Sequence, residues 1–278
     1  MIYLNQVYIQ IMTRKLLAMD LDGTSVKDDY SMEESTIDAI RRAQTRGHVI
    51  AFVSGRRDVD MLSINEQQWC VDYHILNNGG KIIRCSDRKV IRDQLIDKTV
   101  GEKMIRFALQ NDLQLHICSG LLWQVTKMSE STLAYAKTLG VIPQVVKDLK
   151  QVDTEAIEGL MATLNWKEVA AYIDAEVPEL VYVHSEPGTI DIMKKGVSKS
   201  DGIKELSQLL DIPLKDAIAV GNYYNDIDMI RKAGTGIAVA NSVEELKLAA
   251  DYVCKNDNEH GAIQEIIDRM LEGGFDIE

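Results

Sequence analysis

Short, almost wholly apolar runs recur along the chain, separated by longer segments of helical period. Leu16 to Met19 ("LLAM"), "HVIAFV" (48–53), "YHIL" (73–76), "DAIAV" (216–220) and "TGIAVA" (235–240) do not alternate with polar residues. Strands covered on both faces look like this, whereas a strand with one wet face alternates. Between the first two, "SMEESTIDAIRRAQTRG" (31–47) reads as a helix. Ser31 and Glu34 have capping-box spacing, Ile37 and Ile40 begin an apolar stripe, and Gly47 supplies a stop. A second helix is expected over Asp58 to Gln67. The same grammar returns near the end: helices at 198–210, 225–234, 242–250 and 260–273, with strands between them and at "DYVCK" (251–255). Strand and helix in alternation predict an α/β fold, a doubly wound parallel sheet with a Rossmann-like core.

The middle of the chain has a different rhythm. "KIIR" (81–84) and "KVIRDQ" (89–94) read as paired short strands and Lys98 to Asp112 as a helix. Two hairpins follow, turning at Ser119-Gly120 and at Pro187-Gly188, with helices expected at Ser129–Leu139 and Thr154–Ala175 between them. Hairpins with helices indicate an α+β unit built on an antiparallel sheet. It reads as an inserted cap domain, residues 81–193, dividing the core into residues 1–80 and 194–278.

Composition narrows the function. Among 278 residues, 31 basic side chains face 43 acidic ones, a net charge of −12 that disfavours nucleic acid and anionic membranes as partners. The four cysteines are scattered with no CxxC, which argues against thiolate metal sites and disulfides and for a reducing, cytoplasmic setting. The five histidines are equally dispersed, so zinc has little support. The opening "MIYLNQVYIQIM" is too short and too polar to span a bilayer and has no basic leader, and Met12 could be the true start. A monomer or homodimer is expected.

Chemistry gathers at the strand ends, where open parallel sheets bind ligands. The first strand ends in Asp20 and Asp22, followed by Gly23 and Thr24; the second in Ser54, Gly55 and Arg56; a late strand in "GNYYND", with Asn222, Asn225 and Asp226; and Lys199 opens the helix that re-enters the core. Each motif alone is ordinary. Together at one sheet edge they suit a divalent cation and a phosphate. Asp20 and Asp22, two apart on a strand, would share a cavity. At about 5 Å and an effective dielectric near 20 their repulsion is roughly 3 kcal/mol, about two pK units. One acid would then serve as the nucleophile, kept ionised by Mg²⁺, and its neighbour as the proton donor. Gly23 permits a sharp turn, Thr24, Ser54 and Gly55 offer hydroxyl and N–H groups to phosphate oxygens, and Lys199 neutralises developing charge.

"DLDGT", "SGR", "NNGG", "GVSKS" and "GNYYND", in this order, resemble the haloacid-dehalogenase-like hydrolase superfamily. The long insertion and the tail "NDNEHGAI" resemble its Cof-type members with a class IIB cap. The resemblance runs from Arg14 onward. It implies a Mg²⁺-dependent phosphatase with Asp20 as nucleophile, Asp22 as general acid/base and, through its carbonyl, metal ligand, and Ser54 and Lys199 on the phosphate. It departs at Asn222, where the family usually carries an Asp that binds the metal; Asn offers an oxygen without a charge, leaving Asp226 as the second acidic position. The leading expectation is hydrolysis of a small phosphorylated metabolite, a sugar phosphate or phosphorylated cofactor, with two alternatives: a phosphomutase of a sugar phosphate using the same acids, and a weakly catalytic binder of phosphorylated ligands. Arg84, Arg92, Trp123, Lys127 and His184 are the candidate substrate readers of the cap.

Overall fold

The structure is a computed structural model and describes residues 13–63 and 70–275. The opening segment up to Met12 and the last four residues, 64–67, of the helix expected over Asp58 to Gln67 lie outside the described residues; in the part that is described, Asp60–Ser63 forms a 3₁₀ turn, not an α-helix.

Two sheets organise the chain. The larger contains β1 (Leu16–Met19), β2 (Val49–Val53), β3 (Tyr73–Leu76), β4 (Lys81–Arg84), β5 (Lys89–Asp93), β12 (Ala217–Gly221), β13 (Thr235–Ala238) and β14 (Tyr252–Val253). Their order is β14-β13-β12-β1-β2-β3-β4-β5, parallel from β14 to β3. β1 lies at the middle, with Leu17 opposite Ile50 on one side and Ile218 on the other. Its residues are fully buried because alternate side chains feed two helical layers. Leu17 and Met19 pack with α1 (Glu34–Thr45) and α8 (Ala262–Leu271), and Leu16 and Ala18 with α5 (Lys199–Leu209) and α6 (Ile227–Lys232). A short α7 (Glu244–Ala249) completes the second layer. This is the doubly wound, Rossmann-like core expected from the apolar runs.

The smaller sheet has the order β10-β11-β9-β6-β7-β8: β10 (Leu180–Glu186), β11 (Thr189–Lys194), β9 (Gly159–Ala162), β6 (His116–Ser119), β7 (Leu122–Val125) and β8 (Gln144–Val145). Helices α2 (Lys98–Gln110) and α4 (Trp166–Glu176) cover one face through Met104, Ile105, Val169 and Ile173. Helix α3 (Glu130–Leu139) packs in a separate cluster with Trp123 and with Val59 from the core.

Three local expectations are corrected. The paired strands β4 and β5, assigned above to the insertion, extend the core sheet, β4 antiparallel to β3 and β5 antiparallel to β4; Ile82 is fully buried in the core, and the reversal is made by Asn77, Asn78 and Gly79, all at positive φ. The cap sheet therefore begins after Asp93, not at Lys81. The helix expected over Thr154–Ala175 starts only at Trp166, because Gly159–Ala162 is a strand buried between β6 and β11. No capping box opens α1: the helix starts at Glu34 after Glu33, whose side chain makes no cap bond.

Among the described residues no helix is long and apolar enough to cross a membrane. All four cysteines are free thiols.

Candidate active site

β1 delivers Asp20 into the carboxyl-end crevice, its N–H bonded to the Val220 carbonyl (2.8 Å) and its side chain nearly buried. Three groups hold this residue. The Lys199 ammonium meets Asp20 Oδ1 at 2.5 Å, the Thr24 hydroxyl donates to Oδ2 at 3.0 Å, and the Ser25 hydroxyl donates to the Asp20 carbonyl at 2.6 Å. Gly23 makes the turn at φ +67°, and a side chain there would begin 2.4 Å from Asn222 Nδ2. That position tolerates only glycine, both for its left-handed backbone and for the loop pressed against it.

Lys199, at the first turn of α5, also donates to Asp226 Oδ1 at 2.6 Å. Asp226 is fully buried, and its other oxygen accepts from the N–H groups of Asn222 (2.9 Å) and Tyr223 (3.1 Å). One lysine thus sits between two buried carboxylates. Burial, then the charge of Asp226, pushes the Asp20 carboxyl up to about 7, with Lys199 opposing the rise. Burial works against the Lys199 ammonium, but Asp20 and Asp226 outweigh it and hold the lysine well above its usual value. The repulsion expected between Asp20 and Asp22 is a lesser cause. Asp22 lies past the strand end and turns to Arg56, whose Nε and Nη2 reach its two oxygens at 2.9 and 2.7 Å.

Ser54 ends β2. Its N–H donates to the Ile75 carbonyl, its own carbonyl accepts from Asn78 N–H, and its hydroxyl accepts from Arg56 N–H at 3.1 Å. Asp20, Asp22, Gly23, Ser54, Gly55, Arg56, Asn222 and Asn225 all line one cavity of about 1160 Å³. Thr24, Lys199 and Asp226 lie buried behind its wall. The fold therefore brings every candidate residue of the core to one place.

The cap closes over this cavity, and here sequence reasoning missed the residues that matter. Tyr135 of α3 donates to Asp60 Oδ1 at 2.8 Å, and Asp60 is gripped by Arg57 through Nε (2.7 Å) and Nη2 (2.9 Å). Arg57 also reaches Cys118 Sγ of β6 at 3.2 Å. On the other side Lys81 joins Asp58 and Glu158, and Asn77 donates to Glu158 at 3.2 Å. Asn78 reaches across to Asp191 of β11 at 3.0 Å. Only the "NNGG" motif and the loop after "SGR" hinted at these contacts. None of the five cap readers expected above lines the main cavity. Arg84 pairs with Asp87, Arg92 with Glu205 and Lys127 with Asp112, Trp123 is core, and His184 packs against Trp166.

A doubly wound sheet with acids, a lysine and a glycine turn at its carboxyl edge, roofed by an α+β insertion, defines a phosphoryl-transfer class of hydrolase. The family model for haloacid dehalogenase-like hydrolases matches residues 17–267, and the chain belongs to that family. It resembles two Bacillus subtilis proteins along nearly their whole length. These are the phosphatase YwpJ, 25% identical over 89% of this chain and 96% of that one, and the 5-amino-6-(5-phospho-D-ribitylamino)uracil phosphatase YitU, 26% identical over 88% and 94%. Its fold matches a haloacid dehalogenase-like hydrolase from Bacteroides thetaiotaomicron, with a TM-score of 0.81, 21% identity, and coverage of 93% of this chain and all of that one. The chain is accordingly an enzyme of the phosphatase branch, as the ordered motifs implied.

Proposed function

We propose that the protein hydrolyses a small phosphomonoester with Mg²⁺ through a phosphorylated Asp20. The observation that carries this reading is the Asp20–Lys199–Asp226 arrangement at the cavity wall. Thr24 and Lys199 fix the plane of the Asp20 carboxylate, and its attack on phosphorus forms an acyl-phosphate bond while the bond to the leaving oxygen breaks. Asp22, within the same cavity, gives that oxygen its proton. Deprotonated Asp22 then takes a proton from water, whose oxygen attacks phosphorus and returns the Asp20 carboxylate. Ser54, the Gly55 backbone, Thr24 and Lys199 bind the phosphate oxygens, and Arg56 and Asn225 support the walls.

The donors present suit a hard divalent cation: the Asp20 carboxylate, the Asp22 carbonyl and the Asn222 side-chain oxygen. A carboxylate pushed up by burial and by a neighbouring carboxylate is one that a cation restores to its ionised form. Asp226, with both oxygens engaged by Lys199 and the loop N–H groups, would add its charge from behind. When bound, Mg²⁺ would neutralise negative charge on Asp20 and on an incoming phosphate. Asn222 leaves this donor set one charge short of the family pattern, which favours weaker metal binding over loss of catalysis, because Asp20 and Asp226 keep their places.

The test is release of inorganic phosphate from a panel of phosphorylated metabolites, with and without Mg²⁺, for the protein and its Asp20→Asn variant. Mg²⁺-dependent release that the variant loses is the expected result. Release persisting in the variant removes Asp20 as nucleophile. Ligand-dependent thermal stabilisation without turnover would favour the binding-protein alternative.

A further inference from the structure

We propose that the leaving group of the natural substrate carries no second anionic group, but presents hydroxyl or amino hydrogens and an aromatic or apolar face; this rests on the hydrolase reading and names the substrate class of the same site. The charges on the two ends of the cavity differ. At the phosphate end stand Lys199 and the donors for a divalent cation. At the other end, among the described residues, no cap residue that lines the cavity is Lys or Arg. Asp191 and Glu186 are the charged residues there. Asp191 also lies against the phosphate loop, since a side chain on Gly55 would begin 3.2 Å from its Oδ2. Burial raises its carboxyl above the usual range.

The basic groups on the core side of the cavity already have carboxylate partners. Lys27 pairs with Glu33 at 2.7 Å, Arg56 with Asp22 and Arg57 with Asp60. His116, the histidine on the cap wall, stays neutral at pH 7: burial, then Arg57, pushes it down to about 3. A second phosphate or a carboxylate at this end would therefore face acids instead of cations, and like charges at short range repel. Hydroxyl or ammonium hydrogens, by contrast, meet Asp191 and Glu186 as acceptors.

The apolar half of the wall comes from Tyr30, Tyr135, Met161, Leu164, Trp166 and Tyr223. Flat aromatic surfaces of this kind suit a ring, and about 1160 Å³ exceeds the volume of a typical drug-sized pocket. The same ledger weighs against the phosphomutase alternative, whose doubly phosphorylated intermediate would place a second phosphate beneath this cap.

Three aryl phosphates with similar leaving phenols test the inference: 4-(hydroxymethyl)phenyl, 4-(aminomethyl)phenyl and 4-carboxyphenyl phosphate, assayed at neutral pH with Mg²⁺. The expected kcat/KM for the first two exceeds that for the carboxylate by at least tenfold. In Leu164→Arg, a substitution at a cavity position 67% exposed to solvent, the added cation should narrow that ratio several-fold by raising the carboxylate's value. Equal or better turnover of the carboxylate by the unmodified protein overturns the inference while leaving the hydrolase reading intact. No phosphate release from any of the three overturns both.

Discussion

Arg56 grips Asp22 with two hydrogen bonds, Nε to Oδ2 at 2.9 Å and Nη2 to Oδ1 at 2.7 Å, while its guanidinium carbon lies 4.9 Å from the ring centroid of Tyr30. Two acids that the sequence places one residue apart thus receive separate cations, Lys199 for Asp20 and Arg56 for Asp22. This separation lets neighbouring carboxylates take different roles.

Arg56→Lys is expected to lower kcat by about tenfold or more while leaving the fold intact. A lysine keeps the charge but cannot make the planar two-point contact or stack on Tyr30, so Asp22 would no longer be held in one orientation. Steady-state kinetics alongside circular dichroism checks this, and a kcat within twofold of the parent would refute a positioning role.

Lys199→Met should destabilise the protein by about 3 kcal/mol, because two buried carboxylates lose the cation between them. Adding Asp226→Asn should recover part of that loss. Urea denaturation of the single and double variants measures both, and additive effects would show that the three groups do not act together.

Asn222→Asp should lower the Mg²⁺ concentration for half-maximal activity by about tenfold or more, since ligand charge tunes affinity for hard cations. A Mg²⁺ titration of activity is the check. An unchanged midpoint would place position 222 outside the metal's reach.

His116 provides a pH signature in stability. Its Nδ1 accepts from the Trp123 indole at 3.1 Å, and burial, then Arg57, depresses its folded value to about 3, against an ordinary 6.5. Above pH 6.5 both folded and unfolded states are neutral there and it contributes no slope. Between 6.5 and about 3 the unfolded chain binds a proton that the folded one refuses, so stability falls by about 1.4 kcal/mol per pH unit. His116→Gln, which can still accept from Trp123, should remove about one proton's worth of that slope. Denaturation at pH 7 and pH 5 measures it.

Much of the core was legible because its signals are local. Apolar runs without alternation mark strands buried on both faces, and the acids, glycine and lysine at their ends mark the crevice. The sequence alone therefore determined the doubly wound sheet and the set Asp20, Asp22, Ser54, Lys199, Asn222 and Asp226 that the fold assembles. It could not place β4 and β5 in the core sheet, since a short amphipathic strand pairs with whichever edge the preceding turn presents, and the Asn77–Gly79 reversal presents β3. Nor could it tell the strand Gly159–Ala162 from a helix, because four apolar residues fit either until neighbouring strands claim their hydrogen bonds.

Tertiary structure decided the pairings. The sequence pattern says nothing about Asp60 meeting Tyr135 75 residues away, Asn78 meeting Asp191, or a cap wall whose described residues bring acids and aromatic rings but no Lys or Arg to the cavity. Charge interactions fall off with distance through space, not along the chain, so which ion belongs to which partner is fixed only when the two sheets meet.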